Sequence, residues 1–157
     1  MPSAAGADYD PRVRVVAFDY GRARIGVATS DPSGVLARPL TTFAAGRADT
    51  LDQAVSLLSE ISGEDGGLDA IVVGLPRRLD GGPHDLADEV RAFAAALAER
   101  VKVPVVLQDE RLSSHEADSR LAATERSWRR RKAKLDAAAA AVVLQDYLDA
   151  RHAAHGR

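Results

Sequence analysis

The chain has 157 residues, with 21 Lys and Arg against 23 Asp and Glu, a formal net charge of -2 and no Cys. This length suits one domain with a sizeable core, and the absence of Cys excludes a disulfide framework and a Cys-based zinc site. The N-terminus does not have the pattern of a signal peptide, and no apolar run reaches the roughly 18 residues that a membrane helix needs. We therefore expect a cytoplasmic protein without membrane association.

The first half of the chain predicts three strands and one helix. Residues 1–11 are expected to be a disordered tail, followed by a single domain over residues 12–150. Two apolar runs separated by a short turn predict an antiparallel strand pair, because the connection is too short for a crossover. The predicted elements are strands over Val13–Asp19, Ile25–Ser30 and Leu40–Phe43 and a helix over about Arg47–Ser62.

The second half alternates strands with helices. Ser113 and Glu116 have capping-box spacing and predict the start of one of these helices. A basic loop is predicted before the final helix, and residues 151–157 are predicted as a C-terminal tail. The remaining elements are strands over Ala70–Gly74 and Val103–Asp109 and helices over about Pro83–Arg100 and Leu135–Ala150. This order predicts an α/β fold with a five-stranded mixed sheet and helices on both faces.

Three acidic residues stand where such elements could converge. Asp19 and Glu110 each end an apolar strand, and Asp136 lies near the start of an alanine-rich helix. Carboxylate oxygens are the ligands that Mg²⁺ and Mn²⁺ prefer, and two such ions catalyse phosphodiester hydrolysis in many nucleases. We therefore consider Asp19, Glu110 and Asp136 as metal-binding catalytic residues.

The spacing of these acids leaves two points open. It does not choose between Asp109 and Glu110, since neighbouring strand residues face opposite ways. Asp136 could instead only favour the N-terminal dipole of its helix. On spacing alone, three unrelated acids remain a plain alternative to a metal site.

Four sequence runs resemble the motifs of the YqgF/RuvX family, and the resemblance extends over about residues 12–149. The runs are, in order, Phe18–Ala28, Val72–Pro76 with Asp80 and Gly81, Asp109–Ser113 with Glu116 and Ala117, and Lys134–Asp136 with Ala139 and Ala140. The pair Arg77 and Arg78 departs from the family pattern, in which an apolar and a small polar residue are common. This departure leaves the role of that loop in substrate choice open.

The resemblance implies an RNase H-like fold and a nuclease that depends on a divalent metal ion. It selects Glu110 over Asp109 and implies Asp19, Glu110 and Asp136 as the metal-binding acids. It also implies two roles, namely processing of the 5′ end of pre-16S rRNA and Holliday junction resolution. The residues do not choose between an RNA precursor and a four-way DNA junction.

A basic segment near the last helix is a candidate nucleic-acid surface. Six of the nine residues from Arg126 to Lys134 are basic, and Trp128 is the only Trp in the chain. Arginine beside an aromatic residue suits phosphate binding and base stacking, although a solvated loop would have the same composition. The predicted nucleic-acid-binding residues are Gly21, Arg77, Arg78, Arg111, Arg126, Trp128, Arg129, Arg130, Arg131, Lys132 and Lys134.

Two other functions stay open at this point. A non-catalytic nucleic-acid-binding factor of ribosome assembly would bind RNA without cleaving it. An actin-like or sugar-kinase-type ATP-binding protein is favoured by Asp19-Tyr20-Gly21, but such enzymes need a duplicated fold and 157 residues are too few. Gly21 and Gly26 bracket the first turn, where glycine allows a close approach to a phosphate, but turn geometry alone could also account for both residues. The chain could also act as a homodimer.

Overall fold

The computed structural model describes residues 14–21, 23–63, 67–76, 85–110 and 128–155. Within these ranges, side chains are described except at Pro76, Asp85, Glu110 and His155 and over residues 128–134. The strands are β1 (Arg14–Tyr20), β2 (Arg24–Ser30), β3 (Ala37–Ala44), β4 (Leu68–Pro76) and β5 (Val105–Glu110). The helices are α1 (Thr50–Ser62), α2 (Asp85–Arg100) and α3 (Trp128–His155).

The five strands form one mixed sheet in the order β3-β2-β1-β4-β5. β1 pairs antiparallel with β2, and β2 pairs antiparallel with β3. β4 runs parallel to β1 on one side and to β5 on the other. The carboxyl ends of β1, β4 and β5 therefore meet at one edge, which confirms the predicted five-stranded mixed sheet.

Helices cover both faces of the sheet, as the sequence predicts. α1 and α2 cover one face, where Val16, Phe18 and Leu97 are buried. α3 covers the other face and packs mainly on β2, β3 and β1, where Ala17 and Leu144 are buried. Because both faces of the central strands are covered, β1 is apolar along most of its length and does not alternate with polar residues.

The last helix is longer at both ends than the sequence predicts. α3 begins at Trp128, so the predicted basic loop is wrong from that residue onward, and it continues to His155 through part of the predicted tail. Ala, Leu, Arg and Lys are strong helix formers, and no Gly or Pro interrupts this range. A helix is therefore the favoured conformation despite the high charge of its first turns.

Several predicted features lie outside the described residues. They are the N-terminal tail, the loop that contains Arg77 and Arg78, the start of a helix at Ser113, and Pro83 in a first helical turn. No helix in the described part of the chain combines the length and apolarity needed to cross a membrane.

Candidate active site

Asp19 lies near the carboxyl end of β1, between two glycines in the sheet. Its register partners are Gly26 on β2 and Gly74 on β4. Side chains alternate between the faces of a strand, and Val15 and Ala17 belong to the core beneath α3. The half-buried Asp19 therefore belongs to the face that α3 covers.

α3 brings Asp136 to the same face, directly over Gly26. A Cβ atom placed at Gly26 would lie 2.0 Å from the backbone oxygen of Asp136 and 2.4 Å from its carbonyl carbon. The helix backbone therefore occupies the space that a side chain would need at this position. Since Gly26 pairs with Asp19, the backbone of Asp136 lies over the sheet position next to Asp19.

The position of Asp136 within α3 removes one alternative. Asp136 comes eight residues after Trp128, where the helix begins. The electrostatic effect of a helix terminus fades within the first turn. An interaction with the N-terminal dipole therefore does not explain this acid.

Arg24 forms an ion pair with Asp136 that the sequence analysis missed. Its Nε atom lies 3.1 Å from Oδ2 of Asp136, and the two side chains are 31% and 27% exposed. Arg24 precedes Gly26 by two residues on β2 and therefore belongs to the same face of the sheet. Nothing in the sequence indicates this contact, because the partners are 112 residues apart and meet only through the packing of α3 on β2.

The register of β5 distinguishes Glu110 from Asp109 at the level of the backbone. Gln108 pairs with Gly74, and Glu110 pairs with Pro76. Because successive strand residues alternate between faces, Gln108 and Glu110 both belong to the face that α3 covers. Asp109 has the opposite alternation, and its side chain is exposed. The backbone position of Glu110 therefore lies on the same face of the sheet as Asp19, two strands away.

Comparison with known proteins identifies the family. Residues 13–150 match the RuvX family, which is described as Holliday junction resolvase. The chain belongs to the RuvX family. It is 43% identical over 139 residues to a candidate pre-16S rRNA nuclease of a Nocardioides species, a match that covers 88% of each chain. A candidate pre-16S rRNA nuclease of an Anaeromyxobacter species is 43% identical over 143 residues, which cover 90% of this chain and 100% of that one.

A solved structure supports the same fold. Thermus thermophilus RuvC in complex with a Holliday junction substrate matches with a TM-score of 0.52 and 16% identity, over 88% of this chain and 95% of that chain. At this identity the likeness concerns the fold alone. It confirms the prediction of an RNase H-like fold for this RuvX-family chain.

The residues at this face of the RuvX-family chain suit a hard divalent cation. Asp19 and Asp136 offer carboxylate oxygens, which Mg²⁺ and Mn²⁺ prefer. Among the described side chains, no group of three His, Cys, Asp or Glu residues could hold a metal ion. The predicted set needs Glu110, whose side chain is outside that description.

Tyr20 follows Asp19 but belongs to the opposite face. Its hydroxyl donates a hydrogen bond to Oε2 of Glu89 at 3.4 Å, and its ring packs on Phe93 with centroids 5.1 Å apart. Burial, with a further contribution from Glu89, raises the pKa of Tyr20. The phenol therefore stays neutral at physiological pH and adds no charge beside Asp19.

The predicted nucleic-acid-binding residues are only partly described. The Gly21 amide donates to the Arg24 carbonyl at 2.9 Å, and a Cβ atom there would lie 2.8 Å from the same oxygen, so the tight turn accounts for this glycine. Arg77, Arg78, Arg111 and Arg126 lie outside the described residues. The first turns of α3 contain Trp128, Arg129, Arg130, Arg131, Lys132 and Lys134, whose side chains are not described. Their binding role stays a prediction.

Proposed function

We propose that this chain is a nuclease that hydrolyses phosphodiester bonds of structured nucleic acid with the help of a divalent metal ion. The observation that supports the proposal is the contact of α3 with Gly26, in which the backbone of Asp136 lies over the strand position that pairs with Asp19. Membership of a family described as Holliday junction resolvase supports the reaction class.

In this proposal, the carboxylates of Asp19, Asp136 and Glu110 would hold Mg²⁺ or Mn²⁺, with two ions in the site. Such ions activate a water molecule and stabilise the leaving oxygen. β5 lies two strands from β1, a separation of about 10 Å. Gly74, on the strand between them, contributes no side chain to this gap. Gln108 is level with Asp19 and Glu110 lies two residues further along β5, so the two acids are offset along the strands as well as separated across them.

The electrostatics of the site also suit this assignment. Asp19 and Asp136 bring two negative charges to neighbouring positions, and like charges in proximity repel each other. Arg24 supplies a positive charge at Asp136. A bound dication would offset the remaining repulsion, so metal binding should stabilise the folded state.

The proposed substrate is the 5′ end of pre-16S rRNA. The relatives described above are candidate pre-16S rRNA nucleases, and they match along most of their length. A four-way DNA junction is the second candidate, which the family description favours. A non-catalytic assembly factor would have the same binding partner but would lack the cleavage activity.

A cleavage assay with both substrates tests the proposal. Purified protein is incubated with precursor 16S rRNA or a four-way DNA junction, in Mg²⁺, in Mn²⁺ or in excess chelator. We expect metal-dependent cleavage, and we expect Asp19→Asn, Glu110→Gln and Asp136→Asn each to abolish it. Each amide is nearly isosteric with its acid but lacks the charge that a dication needs.

Asp109→Asn is the matched control, because Asp109 is next to Glu110 but has the opposite alternation. It should cleave like the wild type, and all variants should retain the far-UV circular dichroism of the wild type. Binding of RNA without cleavage under any metal condition would favour the assembly factor. Full activity in one amide variant would remove that acid from the site. Binding of ATP would revive the kinase-type alternative.

A further inference from the structure

The contact between Gly26 and α3 leaves no space for a side chain at position 26. Contacts to a Cβ atom shorter than 3.0 Å are essentially never made, and a Cβ atom at Gly26 would lie 2.0 Å from the backbone oxygen of Asp136. It would also lie 3.0 Å from the backbone nitrogen of Ala137. The opposing atoms belong to the backbone of a helix, so they cannot turn away as the end of a side chain would. Any side chain at position 26 must therefore displace α3 by at least about 1 Å.

The rest of the interface shows why α3 lies so close to the sheet. Ala137, Ala139 and Ala140 are buried in this part of α3, and Ala28 of β2 belongs to the same buried cluster as Ala140. Small residues on both surfaces let the helix and the strand approach closely. The closest contact is with the backbone of Asp136 itself. A displacement of α3 at this point would therefore also displace the carboxylate of Asp136.

We propose that Gly26 is a positioning residue that sets the distance between the carboxylates of Asp136 and Asp19. The absence of a side chain at position 26 determines how deeply α3 settles over β2, and thereby how well the two acids share a metal ion. Gly26 itself contacts neither metal nor substrate. This inference rests on the proposed metal site.

The first arm of the test measures Mg²⁺ affinity without substrate, by calorimetry and by the rise in melting temperature. We expect Gly26→Ala to weaken Mg²⁺ binding by about 10- to 100-fold, the range seen when residues that orient metal ligands are changed. Gly63→Ala is the matched control. A Cβ atom at Gly63 would have its nearest contact at 3.6 Å, and its φ of -79° suits alanine. The control should bind Mg²⁺ as the wild type does.

The second arm tests compensation. Asp136→Glu lengthens the side chain by one methylene, which is similar to the displacement that an alanine at position 26 requires. We expect the double variant Gly26→Ala, Asp136→Glu to bind Mg²⁺ more tightly than Gly26→Ala alone. In the wild-type background, Asp136→Glu should weaken binding, because the carboxylate would reach too far. A merely structural role for Gly26 would lower the melting temperature of Gly26→Ala without any such recovery.

The outcomes separate this inference from the proposed function. If the wild type binds Mg²⁺, Asp136→Asn does not, and Gly26→Ala binds like the wild type, the positioning role is wrong and the metal site stands. No binding by the wild type would remove both. If Gly26→Ala does not fold, Asp136→Glu alone decides the inference. Wild-type affinity in that variant would mean that the depth of α3 does not control the site.

Discussion

Asp19 has glycine as its neighbour on both sides in the sheet. On the β2 side, the backbone of α3 occupies the space that a side chain at position 26 would need. On the β4 side, Gly74 leaves the α3-covered face without a side chain between β1 and β5. The two glycines therefore have different consequences. Gly26 lets α3 approach the sheet closely, whereas Gly74 leaves the space beside the Asp19 carboxylate without a side chain.

In the proposed metal site, Arg24 would compete with a metal ion for Asp136. Its guanidinium lies 3.1 Å from Oδ2 and places a positive charge where a dication would approach. We expect Arg24→Gln to strengthen Mg²⁺ binding by up to roughly fivefold, the equivalent of about 1 kcal/mol for a partly exposed pair. The metal-free protein should lose a similar or smaller amount of stability. Titration calorimetry and chemical unfolding of both proteins measure the two effects.

Arg24→Lys is the control for this prediction, because it keeps the charge and should stay close to wild-type Mg²⁺ affinity. Weaker Mg²⁺ binding by Arg24→Gln would contradict competition. It would indicate that Arg24 mainly orients the carboxylate of Asp136.

The sequence identifies candidate acids but does not show what surrounds them. Apolar strands that end in Asp19 and Glu110 can be recognised locally, since strand hydrophobicity is a local pattern. Arg24 was predicted in the first turn and Gly26 in the strand that follows it, and nothing near them in sequence indicates α3. Their roles follow from tertiary packing, in which a helix more than 100 residues away crosses β2.

At the scale of elements, the loop between β2 and β3 is tied to the second half of α3. The Gln145 side chain accepts from the Ala37 amide and donates to the Val35 carbonyl, both at 2.9 Å. His152 Nε2 lies 2.9 Å from the Gly34 carbonyl oxygen. These contacts hold the part of α3 that is remote from Asp136, so the helix is held by β2 near Asp136 and by the segment between β2 and β3 further along.

Asp31 organises this loop and gives it a pH dependence. Burial alone would raise its pKa, but hydrogen bonds from the Ser33 hydroxyl and from backbone amides including those of Leu36 and Val35 outweigh burial and lower the pKa from 3.8 to about 2. A carboxyl whose pKa is lower in the folded state stabilises the fold above pH 3.8 and loses this contribution as the pH falls toward 2.

We therefore expect Asp31→Asn to reduce the free energy of unfolding at pH 7 by on the order of 1 kcal/mol, after allowance for solvent screening. The difference from the wild type should shrink as the pH is lowered from 4 toward 2. Urea unfolding at several pH values measures it. Asp49→Asn, at the exposed N-cap of α1, is the control, and a constant difference for Asp31→Asn across this range would contradict the assignment.

The first turns of α3 present a second prediction at this scale. Replacing Arg129, Arg130 and Arg131 with Ala removes three positive charges but keeps strong helix formers. If each contacts one phosphate, the slope of log affinity against log salt should flatten by up to about 3 units. Fluorescence anisotropy of labelled RNA over a salt series measures the slope. The Mg²⁺-induced rise in melting temperature should persist.

The matched control removes three exposed arginines associated with α1 and α2, on the other side of the sheet: Arg47, Arg91 and Arg100. Both triple variants have the same net charge, so the comparison separates a local contact from a general electrostatic effect. Equal slopes in the two variants would mean that the basic turns of α3 do not hold the nucleic acid. The sequence of residues 128–134 predicted a loop because charged residues are typical of solvated segments. The helix propensity of these residues favours the α-helix that the structure shows.

At the scale of the whole molecule, the sheet divides the interior into two cores. The core under α1 and α2 contains the aromatic contacts of Phe18 with Phe43 and Phe93. The core under α3 is aliphatic and rich in alanine. The sequence predicted this arrangement well, because strand and helix order along the chain restricts the topology. It could not show that Asp19 and Asp136 belong only to the α3 side.

This division predicts that the cores affect the site differently. Leu97 and Leu144 are both fully buried, one in each core. We expect Leu97→Ala and Leu144→Ala each to lower the free energy of unfolding by about 2–5 kcal/mol. Only Leu144→Ala should weaken Mg²⁺ binding, since it loosens α3. Chemical unfolding and calorimetry on the same samples check both statements, and an equal loss of Mg²⁺ affinity in Leu97→Ala would contradict them.

The continuity of α3 has a thermodynamic consequence for the proposed enzyme. The helix carries the basic turns over residues 128–134 and, about 12 Å from its first residue, Asp136. A polyanion that immobilises the basic turns would also restrict Asp136, because one hydrogen-bonded rod joins them. Linkage then requires reciprocity: if nucleic acid tightens metal binding by some factor, metal tightens nucleic-acid binding by the same factor. Metal would then bind preferentially when a nucleic-acid strand is already bound. At low Mg²⁺, the enzyme without nucleic acid would bind little metal.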